Sequence, residues 1–153
     1  MEIQDFVWCL LAATAAGGVV GIERQINNKS AGLRTNTLVA VGACIYVLIG
    51  TQISGGAGDP ARIIGQIITG IGFLGAGVIL HRGANVQGLT TAATIWCSAA
   101  LGCLSGLGMF KETLICTLLI VLINTALKKA DKWFIGDTKR KNNPPSSEED
   151  DKN

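Results

Sequence analysis

Charge is missing from long stretches of this sequence. Only 16% of residues are charged, against 48% hydrophobic. Uncharged apolar runs occupy 6–22, 35–58, 63–80, 89–109 and 113–127. None has the polar face that a surface helix needs, which excludes a soluble helical domain. Histidine is nearly absent too, with His81 alone. The five cysteines, Cys9, Cys44, Cys97, Cys103 and Cys116, all fall in the apolar runs and form no CxxC pair. No metal-site spacing follows, and the cysteines read as small hydrophobes. No nucleophile and base stand in a catalytic pattern, so neither an enzyme nor a cofactor is expected, and no nucleic-acid partner. Basic residues are lacking before the first run, where only Glu2 and Asp5 carry charge. A signal peptide needs a basic start, so 6–22 reads as a retained helix.

What the chain has in quantity is small residues. Between positions 59 and 106 Gly, Ala and Thr are dense. Glycine in a helix costs about 1 kcal/mol relative to alanine. In a bilayer small residues let helix backbones approach closely, and neighbouring helices offset that cost. Each run approaches the roughly 20 residues of a membrane span. The run at 113–127 is short and borrows flanking residues. The expected fold is an all-α integral membrane bundle of five transmembrane helices over 1–127. A tail over 128–153 follows, basic and then acidic. Its later part, with Pro144, Pro145 and a run of acids, cannot bury a core and is expected to be mostly disordered.

Basic residues alternate between loops. Arg24, Lys29 and Arg34 follow the first run, Arg82 the third, and Lys128, Lys129 and Lys132 the fifth. The other side has only Arg62 and Lys111. Lys and Arg collect on the cytoplasmic side, so the N-terminus is expected outside and the C-terminus in the cytoplasm. Trp133 and Phe134 sit where aromatic rings anchor at headgroup level.

Small residues recur at helical spacing. Ala13, Gly17 and Gly21 form one stripe; Gly65, Thr69, Gly72 and Ala76 form another. Gly70 and Gly77 lie on a second face of that helix, which predicts packing on both sides. Thr91, Thr94, Ser98, Gly102 and Ser105 share a face of the fourth helix, and Thr113, Thr117 and Asn124 an inward stripe of the fifth. Gly17, Gly21, Gly70, Gly72, Gly75, Gly77 and Gly102 are the expected packing residues. Gly70-Ile71-Gly72-Phe73-Leu74-Gly75 matches a dinucleotide-binding pattern letter for letter. It lacks the preceding strand, and Ile95 stands where an acid is needed.

Two polar groupings remain. Asp59-Pro60 is a helix start, with Asp as cap and Pro in the first turn, and Arg62 is placed to pair with Asp59. On the opposite side Glu23, Arg24, Arg34, Asn36, Asn85 and Thr90 are expected to converge. There Glu23 neutralises Arg34 or Arg24, and Thr35 or Asn36 caps the second helix.

Several strings are specific enough to name a likeness. They are Gly21-Ile22-Glu23-Arg24-Gln25, Ala31-Gly32-Leu33-Arg34-Thr35-Asn36-Thr37-Leu38, Asp59-Pro60-Ala61-Arg62-Ile63, Gly70 through Gly77, and Gly88-Leu89-Thr90-Thr91-Ala92-Ala93-Thr94. In this order they resemble the MgtC/SapB family of prokaryotic membrane proteins, in a form with the membrane domain only. The resemblance implies a multi-pass protein of the prokaryotic inner membrane, linked to growth at low magnesium and, in pathogens, to virulence. It further implies regulation through other membrane proteins, including the F-type ATP synthase. Virulence-associated members carry a C-terminal cytoplasmic domain, for which only a short polar tail stands here. The alternative is a magnesium transporter or channel. Magnesium prefers oxygen ligands, yet only Glu23 and Asp59 stand near span ends. That path therefore calls for a homo-oligomer with a ring of carboxylates. The partners expected are the lipid bilayer, other membrane proteins and further copies of the chain.

Overall fold

The computed structural model describes residues 2–53, 59–82 and 85–141, with side chains for 2–53, 59–79 and 86–127. The chain forms two units, Met1–Val121 and Leu122–Asn153. Among the described residues the fold is all-helical apart from one short hairpin. In order it runs α1 (Ile3–Ile26), α2 (Leu33–Ile53), α3 (Pro60–Val78), β1 (Leu80–Arg82), β2 (Asn85–Gln87), α4 (Leu89–Gly106) and α5 (Phe110–Lys141). Among the described residues five helices are long and apolar enough to cross a membrane, the last over Phe110–Leu127. The chain is a multi-pass membrane protein.

Polarity is distributed as a bilayer requires. Large apolar side chains such as Trp8, Phe73, Trp96 and Leu114 point outward. Asn36, Thr91, Thr94, Ser98, Ser105, Thr113 and Thr117 are buried. Lipid offers no hydrogen bonds, so polar groups turn inward and bond locally. Thr94 donates to the Thr90 carbonyl, Ser105 to Leu101, Thr113 to Met109 and Thr117 to Thr113.

The core of the first unit is a trio in which α2 lies between α1 and α4. Two glycine pairs set these approaches. A Cβ at Gly17 would sit 2.8 Å from the Asn36 carbonyl oxygen, and one at Gly21 would sit 2.6 Å from Leu33 Cα. On the other side a Cβ at Gly102 would strike the Ala40 carbonyl, and one at Gly106 would sit 2.9 Å from the Cys44 carbonyl. Both pairs are spaced by four, the interval that lets membrane helices meet along their backbones. Small apolar clusters fill the layers between them. Cys9 and Ala13 meet Cys44 and Leu48, and Ala43 and Val47 meet Ala99 and Cys103. The first turns of α5 pack through Cys116, Ile120 and Val121 onto Ala16, Val20 and Leu101.

Four features depart from the sequence-based expectation. The first concerns α3, which was expected to pack on both sides. It buries none of its residues, and no described residue comes within 4 Å of a Cβ added at Gly65, Gly70, Gly72 or Gly77. Only Gly75 comes near a neighbour, Ala92 of α4 at 3.8 Å. Next, α5 continues past Leu127 to Lys141. The side chains of Trp133 and Phe134, and residues 142–153, lie outside the described part. Then the segment before α4 holds a hairpin with Leu80 opposite Gln87 and His81 opposite Val86. Gly88 closes it with φ of 96°, where any Cβ would strike the Val78 carbonyl. Finally, neither Thr35 nor Asn36 caps α2, because the helix begins earlier, at Leu33. Its Leu33 N–H donates instead to Gln25 Oε1 of α1, at 3.2 Å.

Candidate functional site

The end of α1, the start of α2 and the start of α4 meet at one end of the bundle. Their close approach is set by Gly17 and Gly21, which bring α2 onto α1. Asn27 and Asn28 then turn the chain back, with Asn28 at φ 53°, a left-handed conformation that Asn tolerates. This folding draws charged and amide side chains out of reach of water.

Arg24 is 2% exposed. Its guanidinium reaches across to α4 and donates from Nη2 to Thr91 Oγ1 at 3.1 Å. Its Nε is buried without a partner. Glu23 is 8% exposed. Asn27, one turn on, donates from Nδ2 to Glu23 Oε1 at 2.6 Å and to the Glu23 carbonyl at 2.9 Å. Glu23 Oε2 is buried and unpaired. Asn36 is fully enclosed. Its amide donates to the carbonyls of Ala31 and Gly32, both at 2.9 Å. Its Oδ1 accepts from Ser98 Oγ of α4 at 2.9 Å. One side chain therefore ties the α1–α2 turn to α4. Close by, Thr37 Oγ1 is buried without a partner.

The structure brings together Glu23, Arg24 and Asn36 of the expected cluster. Arg34 is exposed, and Glu23 is held by Asn27 instead. Thr90 is exposed, and its neighbour Thr91 takes the inward position. The side chain of Asn85 lies outside the described part. Asn27, Thr91 and Ser98 complete the cluster. For Asn27 the sequence carried a signal, since residues four apart on a helix are neighbours. At the opposite end Asp59 Oδ1 accepts from the Ala61 N–H at 2.9 Å, as a cap should. Arg62 makes no ion pair with it and is exposed.

An opposite-charge pair, amides and hydroxyls can hold small polar groups, and they can transmit a shift of one helix to the others. Among the described residues no three of His, Cys, Asp or Glu group as metal ligands. The cysteines are free thiols, spread among apolar neighbours.

Residues 10–133 match the MgtC family. The chain belongs to that family. Among curated relatives it is similar to Protein MgtC of Brucella abortus (strain 2308), 50% identical over 120 residues, covering 78% of this chain and 50% of that protein. Protein MgtC of Salmonella typhimurium (strain LT2) is 48% identical over 130 residues, covering 85% of this chain and 55% of the relative. The chain thus spans about half the length of the curated relatives it matches. The match contains the cluster, both glycine pairs and α3. No solved structure matches the chain.

Proposed function

We propose that the chain is a non-catalytic regulator in the prokaryotic inner membrane, acting through contacts of its spans with other membrane proteins. The observation that carries this reading is α3. A membrane helix accepts the cost of several glycines where another backbone packs against it. Among the described residues Gly65 and Gly72 meet nothing, and we read the stripe they form with Thr69 and Ala76 as the face that takes a partner helix. Resemblance to the family adds adaptation to low magnesium, a role in virulence, and the F-type ATP synthase as one such partner. The buried cluster is read as the joint that fixes α1, α2 and α4 to one another.

Substitution separates this reading from cation transport. Gly72→Leu fills open space, so the purified protein should melt as the parent does while growth at low magnesium is lost. Asp59→Asn keeps a good cap and should leave growth nearly unchanged. A carrier predicts the reverse order, because losing an entrance carboxylate would impair cation binding most. Growth lost in Asp59→Asn and kept in Gly72→Leu would overturn the regulator reading.

The proposed orientation has the C-terminus in the cytoplasm. A reporter fused after residue 141 should be active in the cytoplasm, and one inserted at 54–58 should be active outside. Both on one side would rule out the five-span path.

A further inference from the structure

The start of α4 lacks a counter-charge. Its cap position is Gly88, which has no side chain to offer, and its first turn holds no acid. Among the described residues nothing accepts from the N–H groups of Leu89, Thr90 and Thr91. A helix end of this kind carries about half an elementary positive charge. A second observation points the same way. Arg24 of α1 is 2% exposed and sends its guanidinium to this turn, where Nη2 donates to Thr91 Oγ1 at 3.1 Å. Its Nε has no partner. We infer that the first turn of α4, with Arg24 behind it, binds a phosphate group at the membrane surface.

Charge and depth select the ligand. Across 23–37 and 86–91 the charged residues are Glu23 against Arg24, Lys29 and Arg34. Glu23 offsets one cation and is held by Asn27, so this end of the bundle stays positive. The first turn of α2 also lacks an acid and adds a second helix N-terminus there. Such an end repels cations and favours anions. The 18 residues of Leu89–Gly106 rise about 27 Å at 1.5 Å per residue. That nearly equals the roughly 30 Å hydrocarbon core, which sets Leu89 and Thr90 at the depth where lipid phosphates lie.

The parts have separate tasks. Leu89 and Thr90 are exposed, so the turn is open to an incoming group. Its N–H groups point out along the helix axis, where an oxygen accepts from them. The exposed Thr90 hydroxyl adds a donor. Arg24 is shut away from water, so solvent and salt weaken its charge little. Its bond to Thr91 holds that charge at the turn. Lys29 and Arg34 are exposed and draw the anion in. A free phosphate and the headgroup of an anionic phospholipid share this chemistry. The site takes no residue from α3, so it stands apart from the face read as taking a partner helix.

Melting of the whole purified chain in neutral detergent and chloride buffer tests this, with three separate additions. These are inorganic phosphate, phosphatidylglycerol, and a diacylglycerol with the same acyl chains. A bound ligand raises the melting temperature by mass action. Phosphatidylglycerol should raise it by several degrees, and diacylglycerol should not. An equal rise with inorganic phosphate would identify free phosphate as a sufficient ligand; a rise with phosphatidylglycerol alone would identify a headgroup. Thr90→Glu puts a carboxylate into the first turn. It should melt above the parent without additions, because the acid meets the helix dipole, and it should lose most of the phosphate-dependent rise. Thr90→Gln, of similar size and uncharged, should keep most of it. No rise with either phosphate source would overturn the assignment. An equal rise in the parent and in Thr90→Glu would overturn it too, since that marks general attraction to basic residues.

Discussion

Gly102→Leu should prevent assembly of the bundle, and even Gly102→Ala should lower its stability by about 2 kcal/mol or more. A Cβ at this position points into the Ala40 carbonyl, and it would stand 2.8 Å from the Ala40 carbonyl carbon and 2.9 Å from Ala43 Cβ. These are backbone and near-backbone atoms of the central helix, so no rotamer change relieves the clash. Overpacking a well-packed core costs about 1–3 kcal/mol when side chains can adjust. Here α2 itself must move. It is held on its other face by Gly17 and Gly21, so a shift away from α4 drives it into α1. Thermal melting in detergent checks the expectation, with Gly65→Leu and Gly72→Leu as controls that meet open space. Gly102→Leu melting beside those controls would show that α2 and α4 do not approach here.

The same glycines show where sequence reading succeeds and where it stops. The five spans were legible because a bilayer demands long uncharged runs, and the runs are unbroken. Gly17, Gly21 and Gly102 were legible as packing residues because small residues repeat at helical intervals. Gly65, Gly70, Gly72 and Gly77 carry the same signal, yet they meet nothing among the described residues. A glycine records that something approaches and carries no mark of whether that neighbour is internal. The absence of a side chain reads alike in both cases.

At the polar end the residue types were legible and the pairings were not. Glu23 was assigned to an arginine because opposite charges are the obvious match. Asn27 lies one helical turn away and reaches Glu23 first, whereas Arg34 faces outward. Asn36 has the chemistry of a cap, but α2 starts at Leu33, which places Asn36 inside the helix. There its amide turns back to the preceding carbonyls and its oxygen turns to Ser98. A shift of four residues in a helix start converts a cap into a bridge between helices. The hairpin of β1 and β2 left little trace, because strands of three residues show no usable alternation.

Arg24→Met should destabilise the protein by about 3–5 kcal/mol, and Glu23→Gln in the same chain should recover much of that loss. Arg24 and Glu23 are adjacent, buried and oppositely charged. Each is only partly hydrogen-bonded, through Thr91 and Asn27 respectively. The two side chains form no ion pair with each other, yet each is the other's adjacent counter-charge in a buried site, and removing one buried counter-charge costs about 3–5 kcal/mol, whereas exposed pairs contribute at most about 1 kcal/mol. Burial decides between these regimes, since little water reaches a guanidinium 2% exposed. Methionine keeps the length of the arginine stem and removes its charge, so packing changes little. Glutamine keeps the acceptor that Asn27 needs. Unfolding of the parent, both single variants and the double variant gives the coupling directly, provided each single change adds no new contact. Strictly additive losses would show that the two charges are screened from each other, and the cluster would then act through Thr91 and Asn36 alone. A large coupling would make this end of the bundle an electrostatic joint, stiff enough to hold α1, α2 and α4 fixed while a partner binds α3.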